Sequence, residues 1–174
     1  MIVIKKAVAE DYKIIAAIGN VSVEQAHRGS CSAEELHEYI SNHYNDAALI
    51  EELANAANDY HILYYNEQPV GFSKIELNAP HFNIENHEVA KLDRIYILSD
   101  YFNLKLGAEL MKFNIGFAKQ HHQSGIWLFT WVGNERAINF YLKAGFKKIG
   151  SHYFQVTPTR SNLNHHMYLE LSEG

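Results

Sequence analysis

The sequence predicts an α/β domain built on a mixed sheet, and three observations carry that expectation. Helical and strand periodicities alternate along the chain. The helix-rich stretch comes early, with most strand candidates behind it. The 174 residues, 47% hydrophobic and 20% charged, suffice for one buried core. One domain over residues 1–174 is expected, because only Pro69, Pro80 and Pro158 punctuate the chain and no linker or internal repeat divides it.

Ile2 to Ala7 reads as a first strand, and Ala9 to Gly19 as a helix that Gly19-Asn20 can end. Val21 to Ser32 is polar and carries no clear period. Ala33 to Tyr44 and Asp46 to Ala57 are helical, with Ser32 and Asn45 as caps. Tyr60 to Tyr65 is aromatic and branched, Asn66-Glu67-Gln68-Pro69 makes a turn, and Val70 to Leu77 returns as the hairpin partner. Glu88 to Leu98 is a long strand candidate.

From Leu104 to Gln120 the period becomes helical. Lys105, Glu109, Lys112 and Lys119 form a solvated stripe, and Leu106, Leu110, Phe113 and Phe117 a buried one. Ile126 to Val132 has no polar alternation, as befits a strand covered on both faces. Asn134 to Ala144 is helical, with Arg136, Asn139 and Lys143 outward and Gly145 as its stop. Phe146 to Thr157 and Asn164 to Leu171 close the chain as strands.

Composition narrows the function classes. A net charge of −5 argues against nucleic acid as a partner, which calls for a basic face. It suits a cationic small substrate. A single cysteine, Cys31, precludes an internal disulfide and fits a reducing compartment. The opening Met-Ile-Val-Ile-Lys-Lys places charge after a short apolar run, the reverse of a signal peptide, and no run approaches a membrane span. A cytoplasmic protein with no membrane partner is expected.

Two segments carry the chemistry. Asp93 to Ala108 runs from strand through a tight loop into a helix, and a helix N-terminus with free N–H groups and partial positive charge suits an anion. Gly107 and Ala108 are small enough to let a phosphate near the backbone. Asn134-Glu135-Arg136-Ala137-Ile138-Asn139-Phe140-Tyr141-Leu142-Lys143-Ala144-Gly145-Phe146 follows a buried strand. It resembles the signature N-x-x-A-x-x-F-Y-x-K-x-G-F of the GNAT acetyltransferases, and the earlier segment resembles that family's pyrophosphate loop. More loosely, His43 to Asp46, the helix to Ala57 and Asn162 to Met167 look most like its bacterial polyamine-acetyltransferase branch.

The resemblance implies a GNAT fold. It is a mostly antiparallel mixed sheet flanked by helices, with central strands splayed to admit the pantetheine arm of acetyl-CoA. It implies acetyl transfer from acetyl-CoA to a primary amine of a small molecule, and a homodimer. Cofactor contacts fall on Ile95, Tyr96, Ile97, Asn103, Leu104, Lys105, Leu106, Gly107, Ala108, Asn134, Ala137 and Lys143. Ile95 and Ile97 act through backbone groups, like an added strand. Tyr141 takes the place of the tyrosine that protonates the departing thiolate. The loop departs from the family's Q/R-x-x-G-x-G/A: Phe102 replaces the polar residue and Lys105 the central glycine, adding a Cβ and a cation.

Amine attack requires the neutral amine, so a carboxylate acts as proton acceptor. Asp93 ranks first, ahead of Glu76 and Glu88, because it shares a strand with Ile95 two residues away, hence one face. It could equally pair with Arg94 or Lys91. The adjacent pairs His121-His122 and His165-His166 diverge on helix or strand, poor geometry for one metal. Cys31 near His27-Arg28 is a weaker candidate, as nucleophile of a ping-pong route. A non-catalytic acyl-CoA-binding module and a peptide N-terminal acetyltransferase are the alternatives. A dinucleotide oxidoreductase lacks its G-x-G-x-x-G after a strand.

Overall fold

The computed structural model describes residues 1–172. The strands are β1 (Ile2–Lys6), β2 (Asp59–Tyr65), β3 (Gln68–Glu76), β4 (Val89–Ile97), β5 (Gly125–Trp131), β6 (Lys147–Thr157) and β7 (Arg160–Glu170). They form one sheet in the order β1-β2-β3-β4-β5-β7-β6. Every neighbouring pair is antiparallel except β4 and β5, which run parallel. That ladder holds only Val89–Gly125, Ala90–Ile126 and Lys91–Trp127 before the strands part. The splayed, mostly antiparallel mixed sheet is the one the family resemblance implies.

Helices α1 (Tyr12–His27), α2 (Ala33–His43) and α3 (Asp46–Ala54) cover one face, burying Ile15, Ile18, Leu36, Ile40 and Leu49 against Tyr60, Ile62 and Phe72. Helices α4 (Leu106–Gln120) and α5 (Glu135–Lys143) cover the other, where Met111, Ala118 and Tyr141 meet Ile75, Leu92, Ile126 and Leu128. Both predicted caps are present. Ser32 Oγ accepts from the Glu35 N–H at 3.1 Å while the Glu35 carboxylate accepts from the Ser32 N–H at 2.9 Å, a capping box. Asn45 accepts from the Ala48 N–H.

Three expectations are corrected. Helix α1 runs straight through Gly19-Asn20 to His27, because Gly19 is a contact point and not a stop. A Cβ there would lie 2.3 Å from the Tyr44 ring, which packs directly on the helix backbone. Helix α4 begins at Leu106, Leu104 being the end of a 3-10 turn over Ser99–Leu104. Its core stripe is Leu106, Leu110, Met111, Asn114 and Ala118. Phe113 and Phe117 are half-buried and stand edge-on to the buried His61 ring, each 4.8 Å away between centroids.

The third correction concerns Asp93. In the β3–β4 ladder Lys74 pairs with Arg94 and Ile75 with Leu92, leaving Asp93 as the extra residue of a β-bulge. The bulge cancels the two-residue alternation. Leu92 and Ile95 face α4 and α5, whereas Asp93 and Arg94 both turn towards α3. Asp93 therefore does not share a face with Ile95.

Candidate active site

The first wall of the site is the joint between β4 and α4. Lys105 adopts the left-handed conformation, φ 57° and ψ 19°, immediately before the first residue of α4. The N–H groups of Ala108 and Glu109 return to the Lys105 carbonyl at 3.1 and 3.3 Å. Those of Leu106 and Gly107, two residues earlier, are first-turn donors that no helix can satisfy internally. Asn103, Leu104, Lys105 and Ala108 are exposed around them, and Leu106 anchors the turn in the core. The arrangement suits an anion, with the exposed Lys105 ammonium, which has no carboxylate partner among the described residues, beside it.

The second wall is α5. Asn134 accepts from the Ala137 N–H at 3.1 Å and so caps the helix. The Arg136 guanidinium lies over the Phe102 ring, 3.2 Å from its centroid, and ties α5 to the loop before α4. Gly107 sits against Phe140 and Ile97, with room for a Cβ at 3.6 Å or more. Tyr141 is buried beside Phe146, and burial pushes its phenol up, so it carries its proton at neutral pH. Lys143 is exposed in the last turn of α5.

Between the walls runs the splay. Beyond Lys91, β4 has no partner on the β5 side among the described residues, which leaves that edge of Leu92–Ile97 free. Ile97 is buried and Ile95 half-buried, so their side chains are core and only their backbone groups are available. Tyr96 packs on the opposite face with Phe72.

On the α1–α3 face a network of charges lies beneath the splay. The Lys74 ammonium, almost wholly buried, meets Glu52 at 2.9 Å, Asp93 at 3.2 Å and Glu76 at 3.3 Å. Asp93 also meets Lys91 at 2.9 Å. Arg94 lies over the Tyr44 ring and donates to the Tyr60 hydroxyl at 2.7 Å. Burial pushes the Asp93 carboxyl up, but Lys91, Lys74 and Arg94 outweigh it and hold the group below the ordinary aspartate range. Of the other carboxylates singled out in the sequence, Glu76 joins this network, while Glu88 is exposed at the entry to β4. Beside it opens a groove of about 500 Å³ lined by Asn42, His43, Glu51, Glu52, Asn55 and Arg94.

Residues 27–146 match the family model of the acetyltransferase (GNAT) family. The chain belongs to the GNAT acetyltransferases. A curated relative, an N-acetyltransferase of Lactobacillus delbrueckii subsp. lactis, is 25% identical over 133 residues, covering 74% of this chain and 75% of that one. Among solved structures, the PaiA N-acetyltransferase of Thermoplasma acidophilum, in complex with coenzyme A, superposes with a TM-score of 0.78 at 21% identity. The match covers 98% of this chain and 99% of that one. The ribosomal-protein-S18-alanine N-acetyltransferase of Escherichia coli gives a TM-score of 0.68 at 18% identity, over 100% and 96%.

In this GNAT chain the structure brings the Asn103–Ala108 loop, Asn134, Ala137 and Tyr141 to one side of the splay, and Asp93 to the other. Sequence reading weighs His166 only in the pair His165-His166 and does not connect it with His81 and His152, which the fold brings to it beside the splay. His81 Nε2 lies 2.9 Å from His166 Nδ1, and His166 Nε2 lies 2.7 Å from His152 Nδ1. They come from the β3–β4 loop, β7 and β6. No spacing in the chain signals that these rings meet: Phe129 lies in a strand without polar alternation, and His81, His152 and His166 come from separate elements. Cys31 is half-buried and accepts a weak bond from the Ser30 hydroxyl. Among the described residues no three His, Cys, Asp or Glu are placed to hold a metal, and no helix is long and apolar enough to cross a membrane.

Proposed function

We propose that this protein transfers the acetyl group of acetyl-CoA to a primary amine of a small molecule by direct attack, with Tyr141 as general acid. The observation that carries the reading is the parting of β4 and β5 after Lys91–Trp127, flanked by the α4 cradle and by Tyr141. The donors fit the cosubstrate. Leu106 and Gly107 offer free N–H groups and Lys105 a cation to a pyrophosphate. The free edge of β4 at Ile95 and Ile97 offers main-chain groups to an amide-bearing arm. Tyr141 gives its proton to the departing thiolate as charge gathers on sulfur. Asp93, kept ionised by its cations, draws the ammonium proton off through water. Those same cations weaken it as a base, which makes direct abstraction the poorer route.

The finer acceptor reading is a polyamine such as spermidine. Net charge and the exposed Glu34 and Glu38 of α2, with Glu51 in the groove, support it. Glu35 contributes less, since it is spent on the capping box and on Arg160 at 3.9 Å. A peptide or amino-acid amine is the second reading, favoured by the neutral histidine donor described below. The test is release of free CoA thiol across polyamines, monoamines, amino-acid amides, peptides and aminoglycosides, at low and high salt. A polyamine acceptor predicts a wide lead for spermidine that shrinks as salt screens the carboxylates. No turnover with any amine would leave a non-catalytic acyl-CoA-binding module.

Lys105 yields a sharper expectation. Its left-handed backbone costs roughly 1 kcal/mol that glycine would not incur. Lys105→Gly should therefore raise the melting temperature while weakening acetyl-CoA binding only modestly. Lys105→Glu should weaken binding far more, by placing a negative charge at the cradle. Equal dissociation constants for the two variants, read by calorimetry, would reduce Lys105 to a surface residue.

We also propose a cytoplasmic homodimer. Edge strand β6 exposes Tyr153 and part of Phe154, an apolar strip suited to a second copy. Light scattering that gave the monomer mass at high micromolar concentration would reject the dimer.

A further inference from the structure

The three histidines form a chain whose direction is fixed from one end. The Asn83 backbone N–H can only donate, and it donates to His81 Nδ1 at 3.1 Å. His81 must then carry its proton on Nε2, which donates to His166 Nδ1. His166 in turn carries its proton on Nε2 and donates to His152 Nδ1. The proton of His152 is left on Nε2, for which no partner is present among the described residues.

Every other ring nitrogen of the chain is already engaged, so an added proton would set two donors against each other. Burial pushes all three rings down, His166 to about 4; His152 lowers the other two, His81 also lowers His166, and Lys91 lowers His152, so the chain is neutral at pH 7.

The chain is buttressed and close to the splay. Asn83 Nδ2 donates to the Ile149 carbonyl at 3.0 Å, across a register shift of β6 against β7. Gly150 permits this approach: a Cβ there would stand 2.9 Å from Asn83 Nδ2 and 3.3 Å from His166 Nδ1. The His152 ring lies 4.4 Å from Phe129, two residues past the last β4–β5 pair. The Lys91 ammonium stands 5.4 Å over Phe129 on the same face. Lys91 is the charged group facing His152 from β4; from α2, Glu35 is turned to Arg160 at the far end of the β6–β7 hairpin.

The geometry points to His152 as a specificity-determining residue for the acetyl acceptor, its Nε2–H held as a neutral donor towards an oxygen carried near the reacting nitrogen. His166 and His81 are positioning residues that act through it. The preferred acceptor is then an amine with a neighbouring carbonyl, such as an amino-acid amide or a peptide N-terminus. An ammonium cannot accept that hydrogen bond, so a second cationic centre gains nothing from it. This inference rests on the acetyl-transfer reading above and chooses among its acceptors.

The test compares kcat/KM for glycinamide with that for propylamine and for spermidine, in wild type and variants, using the full chain and acetyl-CoA. Ratios between variants cancel the different basicities of the amines. His152→Phe, which keeps the aromatic ring on Phe129, should lower the glycinamide-to-propylamine ratio about tenfold, the worth of one good hydrogen bond, with KM for acetyl-CoA unmoved. His81→Phe, remote from the acceptor, should lower it in the same direction. His81→Gln should restore it, because the Gln amide accepts from Asn83 and donates to His166 as His81 does. A second measurement needs no turnover: nitrogen-15 NMR of the imidazoles should show three Nε2–H tautomers at pH 7, with His166 still neutral at pH 5.5.

An unchanged ratio in His152→Phe, a His81→Gln no better than His81→Phe, or a His152 that titrates near pH 6.5 would each overturn the inference. So would a wild-type preference for spermidine, which would leave acetyl transfer standing. A wild type inert towards every amine would instead overturn the transferase reading itself.

Discussion

Tyr141→Phe is expected to lower kcat by roughly 10²–10⁴-fold while leaving KM for acetyl-CoA nearly unchanged. In the proposed role as general acid the hydroxyl matters when negative charge develops on the thiolate, and scarcely before, so its removal is felt in the transition state and not in ground-state binding. Burial keeps the phenol protonated through the working pH range, so it is always ready to donate. Phenylalanine fills the same space between Phe140 and Phe146, which keeps the fold and isolates the chemistry. Single-turnover kinetics would expose the step directly. A near-wild-type chemical rate in the variant would move protonation to water or to another acid.

Lys74→Met should cost about 3 kcal/mol of stability, because it leaves three carboxylates gathered around an apolar side chain. For a chain of this length that lowers the melting temperature by roughly 6–12 °C. Burial works against the Lys74 charge, but Asp93 and Glu52 outweigh it and raise its pKa, so the ammonium persists at neutral pH. Removing it should also let the Asp93 pKa rise.

The sign of the accompanying pH effect follows. A depressed carboxylate contributes stability above its unfolded pKa and loses it as pH falls through the folded one. The wild type should therefore keep this contribution to lower pH than Lys74→Met. Denaturant titrations at pH 7 and pH 4 read both effects. A loss below 1 kcal/mol at pH 7 would mean that Arg94 and Lys91 already neutralise the cluster.

How much of this was legible in the sequence depends on whether the cause was local. Ser32 and Asn45 act on donors three residues away, and Gly145 stops α5 through its own φ of +100°, so spacing alone reveals them. The two chemical segments were legible for the same reason, each being one joint between neighbouring elements. Asp93 was misplaced because a bulge is a property of two strands: only the pairing of Lys74 with Arg94 shows that the alternation breaks. Gly19 was read as punctuation because its reason, Tyr44, lies 25 residues on. The histidine chain was invisible, since His81, His152 and His166 are joined by loop and hairpin geometry and by no spacing in the chain. Lys105 shows the converse, a departure from the family loop visible in sequence whose backbone cost only the dihedral reveals.

The three-pair seam between β4 and β5 has a consequence for how the chain assembles. Strands β1 to β4 lie before residue 98, and β5 to β7 after residue 124, so each half of the sheet is made from its own stretch of polypeptide. Hairpins β2–β3 and β6–β7 close over turns of two residues, at little entropic cost. The seam is parallel, closes over all of α4 and is rewarded by only three residue pairs, so it is the natural last contact to form. During synthesis the first half-sheet can complete, hydrophobic helices in place, before the second has left the ribosome. The V in which the proposed chemistry sits is thus also the join between two successive folding units.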